Sequence, residues 1–112
     1  MKDVTTAKLL RIHIGELDRA RHKPLFEVLV TEARTAGLSG ATVLRGIESF
    51  GASSVVHRAR LVELSEDLPI VVEIVDAEDK VVSFMPVVDE LVTEGLVTLE
   101  AVRIIKYVSP GD

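Results

Sequence analysis

The chain has 112 residues, a net charge of −5 and no cysteine. That length suits one domain with one core, and the missing cysteines exclude disulfides, thiolate metal sites and a cysteine nucleophile. The acidic balance, relieved only by the short cluster Arg19, Arg21, His22 and Lys23, is not the electrostatic footprint of a nucleic-acid binder.

Hydrophobic residues make up 47% of the chain, yet only three Phe and one Tyr are aromatic. The core must therefore be aliphatic, and its many valines favour a substantial sheet, because branching at Cβ suits a pleated surface. Residues 7–14 read as the first strand, with Leu10, Ile12 and Ile14 alternating with Arg11 and His13. Gly15 ends it, and residues 17–23 read as a polar loop. Pro24 suits a helix's first turn, where its missing N–H costs nothing. Leu25, Val28, Leu29, Ala33 and Ala36 then form one helical stripe, which Gly37 stops as a left-handed cap.

Residues 40–50 read as the second strand. Residues 51–69 are an irregular excursion, of which 57–64 could pair as a strand. Residues 70–75 form the third strand, with Glu73 in its middle, and Asp76 is the expected N-cap of a second helix over 78–93. Its stripe is Val81, Phe84, Met85, Val88 and Val92, closed by Gly95, and residues 98–108 form the last strand. The order of strand, helix, strand, excursion, strand, helix, strand predicts an α+β, ferredoxin-like βαββαβ sandwich in one domain over residues 1–112: a four-stranded antiparallel sheet with two helices on one face.

No helix in this order covers the other face. That face is expected to carry Arg11, His13, Glu73 and Arg103 among aliphatic residues. Pairing those charges while burying the aliphatics makes a homo-oligomer the favoured state, with these four residues at its interface. The start of the chain does not read as a signal peptide and no apolar run approaches a membrane span, so a cytoplasmic protein without direct membrane insertion is expected.

Three stretches are specific enough to name a family. They are the run from Gly40 through Arg45, Gly46 and Ile47 to Phe50 and Gly51; the run from Leu64 to Pro69; and Gly95-Leu96-Val97-Thr98. With the opening run from Leu10 to Glu16 they resemble the uncharacterised family called domain of unknown function 190, itself similar to PII-like signalling proteins. The resemblance implies a homotrimer with the open sheet face inside, and it makes residues 51–69 the counterpart of the T-loop through which PII proteins touch their targets. It implies a small-molecule or nucleotide ligand in clefts between subunits. Some family members are encoded beside, or fused to, fluoride-channel proteins, so a membrane transporter is the implied kind of partner. PII proteins hold phosphates with cations near the loop after the second helix. Here that loop carries Glu94 and Glu100, and Arg103 and Lys106 are the nearest cations.

The expected ligand site joins Phe50, Gly51, Ser53, Ser54, His57 and Arg58 with Gly95, Leu96, Val97 and Thr98, and Arg45 and Arg58 are the candidates for an anionic group. Arg45 reads equally well as a salt bridge within the sheet. The three histidines are dispersed and lack ligand spacing, so no metal site is expected. Ser53 and Ser54 have no nucleophile elbow or partner base, and Glu66 and Asp67 read as a polar turn. No catalytic residue and no cofactor are assigned. The expected function is a regulatory, ligand-sensing protein rather than an enzyme; the alternative is a small enzyme or chaperone-like module using the same clefts.

Overall fold

The computed structural model describes residues 5–50, 56–58 and 67–108. In chain order the elements are β1 (Thr5–Gly15), β2 (Arg19–Ala20), β3 (Lys23–Pro24), α1 (Leu25–Thr35), β4 (Thr42–Arg45), β5 (Glu48–Phe50), β6 (Val56–Arg58), β7 (Pro69–Asp76), α2 (Glu78–Leu91) and β8 (Leu96–Ile104). The main sheet has the order β4-β7-β1-β8, antiparallel throughout. This is the expected ferredoxin-like arrangement, with β1 and β7 central and β4 and β8 at the edges.

Alternation along the central strands sets the core. Leu10, Ile12 and Ile14 of β1 and Ile70, Val72 and Ile74 of β7 are buried beneath the helices. Leu25, Val28, Leu29 and Ala33 of α1 and Val81, Phe84, Val88 and Leu91 of α2 close over them. The predicted stripes differ at their ends. Ala36 is exposed, Met85 and Val92 are only partly buried, and Leu91 takes the last buried place. The helix α2 runs on through Pro86 to Leu91.

The end of α1 is closed by backbone geometry. Gly37 has φ +80°, its N–H donates to the Arg34 carbonyl at 3.1 Å, and the Leu38 N–H donates to the Ala33 carbonyl at 3.1 Å. This is the Schellman pattern, and the buried Leu38 supplies its hydrophobic contact. The start of α2 departs from the reading. Its N-cap position is Ala77, with no side-chain cap. Asp76 instead accepts from the Ala77 N–H at 2.7 Å and the Ser39 N–H at 2.8 Å, tying the α1–β4 connection to the end of β7.

Two further segments depart from expectation. Residues 40–50 are not one strand: β4 ends at Arg45, and β5 leaves the main sheet to pair with β6, Ser49 opposite His57. The partner strand β7 begins at Pro69, which has no N–H to continue a ladder. The expected polar loop over 17–23 contains a tight hairpin, with Ala20 opposite Lys23 and the turn residues Arg21 and His22 at φ 51° and 65°. Positive φ at both central residues is the requirement of a type I′ two-residue hairpin turn. Here Arg19 clamps it by donating to the His22 carbonyl, and Arg21 pairs with Glu32.

The register also corrects one face assignment. Leu10 lies opposite Leu99 and Thr6 opposite Arg103, so Arg103 and Ala101 are on the helix side of β8. The open face instead receives Leu96, Thr98, Glu100, Val102 and Ile104, alongside Leu9, Arg11 and His13.

Gly37→Ala is expected to cost about 1 kcal/mol, the penalty of a left-handed L-residue. A lower urea midpoint at unchanged slope would show this; an unchanged midpoint would mean that the cap contributes nothing.

Candidate functional site

Antiparallel pairing gathers four strand termini at one end of the sheet: the end of β1 at Gly15, the end of β4 at Arg45, the start of β7 at Pro69 and the start of β8 at Leu96. Gly95 leads into β8 with φ +146°, and a Cβ there would come within 2.4 Å of the His13 carbonyl oxygen. Only glycine allows the α2–β8 connection to lie this close to β1.

The turn after β1 is bound to the chain that enters β7. The Glu16 N–H donates to the Leu68 carbonyl at 2.7 Å, and the Leu17 N–H donates to the Asp67 carboxylate at 2.9 Å. Asp18 accepts from the Gly15 N–H at 2.9 Å, which tightens the turn. On the far side, the Gly46 N–H donates to the Pro69 carbonyl at 2.7 Å. Arg45 reaches back to form an ion pair with Glu16. The contacts thus make a closed circuit from Arg45 to Glu16, to Leu68 and Pro69, to Gly46, and back to Arg45 along the chain.

Arg45 is exposed, on the outer edge of the sheet. Leu96 and Thr98 are exposed on the opposite edge, while Val97 is partly buried against the core. Two strands lie between these edges, a separation of about 14 Å at ~4.8 Å per strand step. The two halves of the expected site therefore share one end of the sheet but not one wall. Phe50, His57 and Arg58 lie on the β5–β6 ribbon. Gly51, Ser53 and Ser54 lie outside the described residues.

Three of the four expected interface residues share the open face. Arg11 donates through Nε to Glu73 at 2.9 Å and through Nη1 to Glu100 at 2.6 Å. Those hydrogen bonds, Glu73 first and then Glu100, hold its guanidinium above the usual arginine range. His13 stands on the same face opposite Leu96 and Val71, and Arg103 does not. Glu100, which the sequence places in the loop after the second helix, is the second partner of Arg11. Asp67 reads in the sequence only as part of a polar turn, and Glu16 only as the end of the opening run. No local motif marks either of them, because their contacts join positions 29 and 50 residues apart.

A shallow cleft of about 320 Å³ lies between the β2–β3 hairpin and α1, lined by Arg21, Lys23, Glu27, Val28, Thr31 and Glu32. Its charges are mixed, and Arg21 is already taken by Glu32, which raises the arginine above its ordinary value. Among the described residues no group of three or more His, Asp or Glu is placed to hold a metal ion, and no helix is long and apolar enough to cross a membrane.

Asp67→Ala removes the acceptor of the Leu17 N–H and is expected to destabilise the protein by about 1 kcal/mol. Asp67→Asn, which keeps an acceptor, should recover most of that in the same urea titration. Equal losses in both variants would contradict the assigned bond.

Comparison with known proteins fits this geometry. A UPF0166 protein of Aquifex aeolicus is 38% identical over 102 residues, which cover 91% of this chain and 96% of that one. A UPF0166 protein of Methanocaldococcus jannaschii is 29% identical over 101 residues, covering 89% and 93%. Among solved structures, CPII of Thiomonas intermedia, bound to ADP and bicarbonate, superposes with a TM-score of 0.64 at 17% identity, covering 93% of each chain. A PII-like signalling protein of Thermus thermophilus gives a TM-score of 0.66 at 19% identity, covering 92% of this chain and 93% of that one. The fold is therefore that of the PII-like proteins. The model of the family DUF190, described as "Uncharacterized ACR", matches residues 7–104, and the chain belongs to that family.

Proposed function

We propose that the protein is a PII-like regulatory protein. Copies assemble as a homotrimer, a small anionic molecule binds in the clefts between them, and the bound state is passed to a partner protein, a membrane transporter being the kind of partner expected. The observation that carries this reading is the division of the candidate site between the two edges of one sheet. Arg45 on the β4 edge and Leu96 and Thr98 on the β8 edge are exposed and about 14 Å apart at ~4.8 Å per strand step, so in this reading a neighbouring copy supplies the opposite wall.

Three further features support the reading. Arg11 is paired with both Glu73 and Glu100 within one chain, so its guanidinium keeps its partners when the open face is covered. Leu44, Val75 and Leu96 are exposed on that face, and burying them is a source of association energy. CPII, with the same fold, binds ADP and bicarbonate.

Arg45 offers the planar fork of donors that suits a carboxylate or phosphate. The ligand acts here as a signal and is not turned over. A thermal-shift series with ADP, AMP, ATP and bicarbonate tests the reading. At a ligand concentration far above its Kd, a molecule that binds only the folded state raises the melting temperature by several degrees. Arg45→Gln should weaken the effective ligand roughly tenfold or more, through loss of a charge-assisted hydrogen bond. No shift with any of the four ligands, or an equal shift in the variant, would contradict the assignment of Arg45.

A further inference from the structure

We propose that Glu16 is a built-in competitor for the anion site, and that its ion pair with Arg45 is a latch whose opening loosens both ends of the chain between β4 and β7. The inference rests on the reading of Arg45 as the anion-binding residue and adds the means by which occupancy is sensed.

The argument comes from the circuit of contacts at the end of the sheet. Arg45 is exposed and Glu16 is only partly so, so the carboxylate is held in place and the guanidinium can be reached from solvent. Glu16 presents to Arg45 the group an anionic ligand would present, a planar pair of oxygens. An incoming carboxylate or phosphate must therefore displace it. Glu16 is no free side chain, however. Its own N–H is bonded to the Leu68 carbonyl, the next N–H is bonded to Asp67, and Pro69 is held in turn by the N–H of Gly46, the residue after Arg45.

The chain leaves β4 through Gly46 and returns to β7 through Asp67–Pro69. Both connections belong to the circuit that the ion pair closes. When a ligand takes Arg45, the turn at Glu16 loses its tie to β4, and the bonds at Leu68 and Gly46 lose the brace across them. Binding at one side chain thus changes the anchorage of the segment expected to meet a partner. No contact between ligand and partner is required.

The test compares wild type with E16Q, using ADP as the probe, by calorimetry and by hydrogen exchange of the full chain. Removing the competing charge should tighten ADP about two- to fivefold, the fold-change equivalent of an exposed ion pair. The amides of Leu17 and Gly46 should exchange faster in wild type once ADP is bound. In E16Q they should exchange faster before ADP is added. Equal ADP affinities with unchanged exchange at these amides, while wild type binds ADP and R45Q does not, would overturn the latch and leave the site standing. Equal binding of ADP by wild type and R45Q would overturn the site itself, and the latch with it. A purely structural Glu16 would show as an E16Q of lower stability with unaltered ADP affinity, which also overturns the proposal.

Discussion

The structure depends on one-sided burial of two central strands. Leu10, Ile12 and Ile14 of β1 and Ile70, Val72 and Ile74 of β7 lie under two helices. Their neighbours Arg11, His13, Val71 and Glu73 turn to the other face and stay only half-buried. Two helices suffice for the two middle strands but leave the edges bare. All four residues of β4 are exposed, as are Leu96 and Leu99 on β8. Among the described residues, an open face and two open edges are therefore consequences of the same economy, and they are what a second copy of the chain would find.

The parts of the fold that follow from local periodicity were legible in the sequence. The period of two in Leu10-Arg11-Ile12-His13-Ile14 fixed the faces of β1. The helical stripe and Gly37 located α1 and its cap, and Gly95 marked the end of the second helical pattern. Legibility failed where a residue's role depends on a distant partner. The edge strand β8 carries aliphatic residues on both sides, so alternation does not tell its faces apart; only pairing with β1 shows that Arg103 lies beneath the helix side. The break after Arg45 falls where Gly46 meets Pro69, which has no N–H to continue the ladder and which the run from Gly40 to Phe50 does not reveal. Arg21 and His22 have no Gly or Asn to announce a tight hairpin, and Arg19 and Glu32 hold the turn from outside it.

The same limit applied to the site. Arg45 was recognisable as a planar fork of donors that suits a carboxylate or phosphate. Glu16 and Asp67 carry no such signal, since their meaning arises only when the topology brings the β1 turn beside the entry to β7. The sequence leaves Arg45 open between a salt bridge and an anion site; the structure shows the salt bridge, with Glu16 as its partner. The resemblance to PII-like proteins is strong in fold. The loop over 93–100 has two acids and no cation, a departure from the pattern by which PII proteins hold phosphate.

The central claim is that the site is completed by a neighbouring copy. Its most direct test is the mass of the protein in solution, by sedimentation equilibrium at roughly tens of micromolar, a range in which an association of micromolar strength is populated. The account predicts a species three times the 12.2 kDa chain mass. A monomer at that concentration would contradict it, because Arg45 and residues 95–98 would then remain two separate surfaces.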